Sequence, residues 1–159
     1  MKNLAIILLC CFSSTQIVFS QTYVYPNDRM YYDEMLCNVQ GGHVIPGRSD
    51  MWNEAKLTVS DKKICEGFST SSFDILYTYT EGKLYAGEST FSFDLLFTCK
   101  NGKIYRGDST MMMDCLFTYN ARQLFTGDSN IIFDRVMVFD GEEPTTLELL
   151  AILLALGYI

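Results

Sequence analysis

Four consecutive windows of 20 residues read GFSTSSFDILYTYTEGKLYA (67–86), GESTFSFDLLFTCKNGKIYR (87–106), GDSTMMMDCLFTYNARQLFT (107–126) and GDSNIIFDRVMVFDGEEPTT (127–146). Each window begins with glycine and has an aspartate at the same place. Two earlier windows, 27–46 and 47–66, are decayed copies that carry Glu34 and Glu54 at that place. A period this regular predicts several copies of one small structural unit.

Each window predicts a β-hairpin followed by a loop. A run rich in aromatic and β-branched residues, such as ILYTY, precedes a tight-turn pair and a short second run such as KLY. Asn101-Gly102 is typical of a type I′ turn, because both residues tolerate positive φ. The segment between hairpins begins with glycine and carries serine and threonine, whose hydroxyls can bond the local backbone.

The ends of the array predict that the hairpins close into a ring. The last window has a first strand (133–139), but GEEP (141–144) occupies the place of its second. The missing partner stands at the other end, where VY (24–25) matches the second-strand pair LY (84–85). Together these strands would complete a twelve-strand ring without exposed edges. The alternative is a β-solenoid with one window per coil, capped by a helix.

The C-terminal stretch TTLELLAILLALGYI (145–159) predicts a core helix over residues 145–157. Thr145 and Glu148 can form a capping box, and Gly157 supplies a left-handed stop. About eleven residues are too few to span a bilayer, so a buried helix is favoured over a membrane anchor. A twelve-strand ring has a radius of roughly 12 Å. Its bore, after side chains, is close to the diameter of a helix, about 10–12 Å. The fold class is therefore all-β, six hairpin repeats closed around a buried apolar helix.

This plan is similar to that of the tubby-type barrel, in which twelve strands enclose a hydrophobic C-terminal helix. The short hairpin period also resembles the β-flower repeats of bacterial proteins. The tubby-type resemblance implies phosphoinositide binding through basic residues. The formal net charge here is −7, which disfavours that role and disfavours nucleic acids and anionic membrane surfaces as partners.

The N-terminus predicts export. Residues 1–20 hold one cation, the apolar run LAIILLCCF and small-residue cleavage positions at Val18 and Ser20, which are typical of a signal peptide cut after Ser20. A lipoprotein attached through Cys10 or Cys11 is the weaker alternative. Residues 21–159 then form a single repeat domain, with repeats 27–46, 47–66, 67–86, 87–106, 107–126 and 127–146, in a secreted, periplasmic or extracellular protein.

Four cysteines follow the signal: Cys37, Cys65, Cys99 and Cys115. An even number in an oxidising compartment is typical of disulfides. These four, however, fall at different places in the repeat, and no two face each other on neighbouring strands of a meander. We expect buried thiols that replace the apolar residues of sister repeats.

The carboxylates that recur in register are the best-marked polar feature. Recurrence in every repeat favours a structural role, in which the carboxylate accepts hydrogen bonds at the junction of loop and strand. Calcium binding is the alternative, because hard cations prefer carboxylate oxygens. Its candidate ligands are Glu88, Asp94, Asp108, Asp114, Asp128 and Asp134.

No catalytic motif is present, and the single histidine, His43, follows Gly41-Gly42 as a solvated turn residue would. We expect neither catalysis nor a cofactor, although a hydrolase using paired carboxylates stays open. The expected function is a structural or interaction module.

Aromatic residues give the only indication of a partner. We expect the loops to cover the outer face of the sheet through Phe73, Phe93, Met113 and Phe133; otherwise that face serves self-association or ligand binding. Tyr31, Tyr32 and Trp52 lie in the irregular first repeats and are the candidates for a glycan- or protein-binding surface.

Overall fold

The computed structural model describes residues 21–27 and 30–159. The predicted signal peptide lies outside these residues. The strands are β1 (Gln21–Pro26), β2 (Cys37–Gln40), β3 (His43–Pro46), β4 (Leu57–Ser60), β5 (Lys63–Glu66), β6 (Ile75–Thr80), β7 (Lys83–Ala86), β8 (Leu95–Lys100), β9 (Lys103–Arg106), β10 (Cys115–Asn120), β11 (Gln123–Thr126) and β12 (Arg135–Gly141), followed by the helix α1 (Thr146–Leu156).

The twelve strands form one closed antiparallel barrel. Each strand pairs with its neighbours in sequence, and β1 pairs with β12, where Val24 lies opposite Phe139. The N-terminal second strand and the C-terminal first strand thus complete each other, as predicted. Closure pairs the two strands that an open sheet would leave as edges, and it excludes the solenoid alternative.

Tight turns lie at one end of the barrel. Asn101 and Gly102 both have positive φ, 52° and 73°, as the type I′ prediction requires. A side chain at Gly102 would place its Cβ 2.7 Å from the carbonyl oxygen of Tyr119. Glycine is therefore needed there both for conformation and for space.

The helix α1 runs inside the barrel. Thr145 Oγ1 accepts from the backbone N–H of Glu148, whose carboxylate accepts from the N–H of Thr145, and Gly157 ends the helix at φ 75°. The first turn lies beside the tight turns, whereas the last turn reaches the other end, where Lys56 Nζ donates to the carbonyl of Ala155. Buried helix residues join one core with inward residues of the strands: Leu147, Leu149, Leu150, Ala151, Ile152 and Leu153 meet Val24, Val44, Ile64, Leu84, Ile104 and Leu124.

The connections between hairpins all leave the end opposite the tight turns and contain short 3-10 turns: Tyr32–Glu34, Trp52–Glu54, Ser72–Asp74, Ser92–Asp94, Met112–Asp114 and Ile132–Asp134. The loops fold back along the outside of the barrel, where Thr78 Oγ1 donates to the carbonyl of Gly87 at 2.7 Å. Ser69 donates to Asp74 at 2.5 Å, and Ser109–Asp114 and Ser129–Asp134 repeat this bond. These three carboxylates have the structural role predicted for them.

The aromatic face of each long first strand points inward. Tyr77 and Tyr79 pack against the core, and Leu76 joins them because the register shifts beside it. This shift is a β-bulge, which turns an extra residue toward the same side. Strict alternation along the strand would place Leu76 on the face of Thr78, and the bulge moves it to the side of Tyr77 and Tyr79 instead.

The prediction that the loops between hairpins cover the outer face of the sheet is wrong. Phe73, Phe93, Met113 and Phe133 are 96%, 82%, 85% and 92% exposed, because the 3-10 turns point them away from the barrel. Neighbouring side chains of the sheet instead cover one another on the outer face. Tyr85 is buried opposite Leu95, and Tyr105 is buried opposite Cys115.

The four cysteines are free thiols. Cys37 and Cys99 pack with the inner core, whereas Cys65 and Cys115 occur in the outward register beside Ile75 and Tyr105. Three are buried and Cys99 is half-buried. Burial raises the pKa of Cys37 and of Cys99 to about 12, which keeps both in the unreactive thiol form at neutral pH.

Candidate ligand-binding site

The regular part of the outer wall carries a repeated ion pair. Lys63 reaches Glu88 at 3.4 Å, Lys83 reaches Asp108 at 2.6 Å, and Lys103 pairs with Asp128 in the same way. In each case the lysine lies at the start of a second strand, and the acid lies in the loop that folds back over the next hairpin. Water reaches all three pairs and screens their attraction, so they contribute little to stability.

In the early repeats the same two positions hold aromatic rings. His43 takes the lysine position and Phe68 takes the acid position, with 4.7 Å between the ring centroids. Trp52 joins them at 5.5 Å from His43 and 6.3 Å from Phe68. We call these three residues the Trp52 cluster. Trp52 is 40% exposed, so the cluster presents an aromatic surface to solvent.

His43 is held in place as a neutral ring. Its Nδ1 lies 2.9 Å from the hydroxyl of Thr58, which itself donates to the carbonyl of Gly67. The Thr58 hydroxyl has one hydrogen, which it donates to the Gly67 carbonyl. It can therefore only accept from His43, and Nδ1 is the donor. Burial lowers the pKa of His43, and the uncharged imidazole therefore predominates at neutral pH. The interpretation of His43 as a solvated turn residue is wrong.

At the next position around the ring, Tyr23 and Arg48 replace lysine and acid. They border a cleft of about 640 Å³, which we call the seam cleft because β1 and β12 meet there. The guanidinium of Arg48 lies 4.9 Å from the ring centroid of Tyr32, a favourable cation–π distance. The lining residues are Gln21, Tyr23, Tyr25, Tyr32, Met35, Asn38, Gln40, Arg48, Asp50 and Asp140.

The seam cleft is a modified copy of a feature seen in a regular repeat. The equivalent space beside β5 is about 340 Å³ and is lined by Ser60, Asp61, Lys62, Lys63, Cys65, Thr70, Ser72 and Ile75. In repeat register, Ser60 corresponds to Asp140, Ser72 to Tyr32, and Lys63 to Tyr23. The seam cleft thus has the larger volume. It has two tyrosines and a carboxylate where the space beside β5 has a lysine and two serines.

A buried polar relay supports the loop beside the seam cleft. Asn38 is 2% exposed, and its Nδ2 donates to the carbonyls of Gly47 and Ser49 at 3.1 and 2.8 Å. Gln40 Nε2 donates to Asn38 Oδ1 at 3.0 Å. Sister repeats have threonine at the Asn38 position, with a single bond to the glycine: Thr58, Thr78, Thr98 and Thr118. The relay adds a second anchor for the loop that carries Arg48.

The predicted binding residues are divided between the two features. Tyr32 lines the seam cleft, Trp52 belongs to the Trp52 cluster, and Tyr31 is exposed without lining either. Sequence reasoning missed Arg48, Asn38 and the other polar lining residues. The sequence carried one signal for them, because these residues differ in type from their equivalents in the regular repeats. That signal is hard to find, since the two members of each pair on the outer wall lie 25 positions apart and the repeat is 20 residues long.

Four of the calcium candidates make two different kinds of contact. Asp108 and Asp128 pair with lysines, and Asp114 and Asp134 accept from serines. Within residues 21–27 and 30–159, no three His, Cys, Asp or Glu side chains are grouped to hold a metal ion. The calcium hypothesis stays a prediction, and a melting temperature lowered by EDTA would support it.

Among the described residues, no helix has both the length and the apolar character needed to cross a membrane.

Comparison with known proteins identifies the architecture. No curated protein and no solved structure matches the chain, and the tubby-type resemblance stays one of plan. The family model described as "6-fold beta flower protein" matches residues 17–153, in agreement with six hairpins in a closed ring. The chain belongs to this family of 6-fold beta flower proteins.

Proposed function

We propose that this protein is an exported binding module without catalysis, and that its ligand surface is the outer wall of the first two complete repeats. The observation that carries the proposal is the Trp52 cluster. At this position around the barrel, the rings of His43 and Phe68 replace the lysine–acid pair found on the regular wall, and the exposed ring of Trp52 packs beside them. A purely structural wall would have no need of this exchange, because the ion pair already suits an exposed position.

The chemistry of the cluster favours a ligand with a flat apolar face. Trp52 and Phe68 are nearly parallel, with 25° between their planes, so they offer a surface on which a sugar ring or an aromatic side chain can stack. His43 adds a neutral ring with no charge to desolvate. A glycan is therefore the first candidate, and a protein segment with exposed aromatics is the second. The net charge of −7 disfavours polyanions and anionic membrane surfaces.

Trp52 is the only tryptophan in the chain, so intrinsic fluorescence reports directly on this site. We expect titration with a stacking ligand to shift or quench the emission of Trp52. Phe68→Ala should weaken the binding because it removes part of the platform. Phe93→Ala, which truncates an exposed phenylalanine on a regular repeat, is the matched control and should bind normally. Equal loss in both variants would overturn the assignment of the site.

Export rests on the N-terminal twenty residues, which have the composition of a signal peptide. Mass spectrometry of protein recovered from outside the cytoplasm should find a chain that begins at Gln21. A chain that begins at Cys10 or Cys11 with a lipid mass would instead show the lipoprotein alternative. A full-length chain retained in the cytoplasm would contradict export.

Self-association is a second candidate, favoured by a separate observation. Phe73, Phe93 and Phe133 project from equivalent loops and are almost fully exposed. Large apolar groups that face water on several neighbouring repeats are typical of interaction surfaces.

A further inference from the structure

We infer that the seam cleft is the polar subsite of the same ligand surface, and that it receives a neutral sugar residue of an oligosaccharide whose next residue stacks on the Trp52 cluster. This inference rests on the proposed function. It adds the ligand class and a second set of contacts that the Trp52 cluster alone does not provide.

One loop joins the two features. The connection between β3 and β4 carries Arg48 and Asp50 into the lining of the seam cleft. Two residues beyond Asp50, it carries Trp52 into the aromatic cluster. The polar and aromatic surfaces are therefore neighbours on the barrel wall. A ligand of several linked rings can contact both, whereas a single small molecule would occupy only one.

The lining of the seam cleft fits hydroxyl groups. Gln21 and Gln40 offer amides, and Asp50 and Asp140 offer carboxylate oxygens that accept from hydroxyls. Tyr32 supplies a ring face beside these groups. Small-ligand sites combine apolar and aromatic surface with a few convergent polar groups, in volumes of about 300–1,000 Å³. The seam cleft, at about 640 Å³, has this composition and size.

The lining is held in place before any ligand arrives. Asn38 fixes the backbone on both sides of Arg48 through its bonds to Gly47 and Ser49. Arg48 in turn lies against the ring of Tyr32. Binding then orders fewer side chains and loses less conformational entropy. Asn38 acts as a positioning residue, because it contacts the loop and its other side-chain atom is occupied by Gln40.

The charges select a neutral ligand. Among the described residues that line the seam cleft, two are carboxylates, Asp50 and Asp140, and one is a cation, Arg48. The whole chain carries −7. An acidic saccharide would be repelled both by the lining and by the overall field, whereas uncharged hydroxyls can donate to the carboxylates without this cost.

Isothermal titration calorimetry can test the inference on residues 21–159. The probes are neutral tetrasaccharides of glucose, N-acetylglucosamine or mannose, with tetragalacturonate as the acidic probe of equal length. We expect one neutral probe to bind and tetragalacturonate to bind more weakly. Tyr32→Ala and Asp140→Ala should each weaken binding about tenfold, the loss that corresponds to one stacking or hydrogen-bonding contact. Ser72→Ala and Ser60→Ala, at the matching positions beside β5, should have no effect.

The outcomes separate the two proposals. Binding that is lost in Phe68→Ala but unchanged in Tyr32→Ala and Asp140→Ala overturns the seam cleft and leaves the proposed function standing. Preference for tetragalacturonate overturns the choice of a neutral ligand. If no saccharide binds, the inference fails, and titration of Trp52 fluorescence with aromatic-containing peptides then decides the proposed function alone. Shortening of the bound tetrasaccharide that is lost in Asp140→Ala would overturn a non-catalytic role.

Discussion

Asn38 anchors Ser49: the buried side-chain amide donates to the Ser49 carbonyl at 2.8 Å. A second bond reaches Gly47, whereas the threonine of a sister repeat donates a single bond to the following loop, to the equivalent glycine. The loop that carries Trp52 is thus tied down at two points. Both bonds come from one side chain of the strand β2.

Replacing Asn38 by threonine should loosen this loop without unfolding the barrel. Asn38→Thr retains a bond to Gly47 and loses the one to Ser49, at a cost of about 1 kcal/mol in the free energy of unfolding. We expect acrylamide to quench Trp52 more efficiently in this variant. Thr98→Val removes a comparable bond in a regular repeat and should leave the quenching of Trp52 unchanged. Identical quenching in Asn38→Thr and wild type would contradict the anchoring role.

Stability of the barrel should depend on the helix. Leu150 is fully buried in the core, so Leu150→Ala should lower the free energy of unfolding by about 2–5 kcal/mol, as measured in urea. Leu156→Ala, at the half-buried last turn, should cost less. A chain that ends at Gly141 lacks the helix altogether and should show no cooperative thermal transition, since the inward residues would face water. A sharp transition in that chain would remove the helix from its central role.

His43 predicts a specific pH dependence. Its pKa is lowered by burial in the folded protein, while the unfolded value is about 6.5. Above the unfolded pKa both states are neutral, and His43 adds no pH dependence. As the pH falls through about 6.5, the unfolded chain binds a proton first, so stability falls until the folded pKa is passed.

The comparison with His43→Gln isolates this effect from the carboxylates. The difference in unfolding free energy, wild type minus variant, should decrease between pH 7.5 and pH 5, measured by urea titration at each pH. A difference that stays constant across this range would mean that His43 titrates normally. Glutamine is chosen because it keeps a donor for the hydroxyl of Thr58.

One tight turn is strained. Ala121 and Arg122 have φ of 49° and 61°, a left-handed conformation that costs a non-glycine residue about 1–2 kcal/mol. The equivalent of Arg122 in the preceding repeat is Gly102. Arg122→Gly should therefore raise the free energy of unfolding by up to about 1 kcal/mol, after the greater freedom of glycine in the unfolded chain is subtracted. Gly102→Ala should have the opposite effect, and a destabilised Arg122→Gly would show that the turn is unstrained.

Exposed phenylalanines predict concentration-dependent association. Phe73, Phe93 and Phe133 face solvent on equivalent loops, so sedimentation velocity should show species larger than the monomer as concentration rises. Replacing all three by serine should shift the distribution to monomer while preserving the melting temperature, because these side chains are not packed. A wild-type protein that is monomeric at all concentrations would refute self-association through this surface.

Sequence patterns predicted the features that depend on neighbours along the chain. Asn101-Gly102 specifies its own turn because both residues tolerate positive φ. Thr145 and Glu148 specify the start of the helix because their reciprocal bonds span only three residues. Even ring closure was predictable, since one unpaired second strand and one unpaired first strand stand at opposite ends of the array.

Long-range packing decided what these patterns left open. The bulge beside Leu76 determines which face points inward, and it depends on pairing with β5 rather than on β6 alone. The path of the loops decides that Phe73 is exposed and that His43 meets Phe68, 25 positions away in sequence.

The repeat, the hairpin turns and the ends of the helix were therefore determined by the sequence itself, because each is stabilised by contacts within a few residues or by simple counting of strands. Only the tertiary structure decided where the proposed ligand surface lies. Its parts come from different hairpins: Asp140 from β12, Tyr32 and Arg48 from two loops, and Asn38 from β2. These residues are brought together when the ring closes, and their common departure from the regular wall becomes visible there.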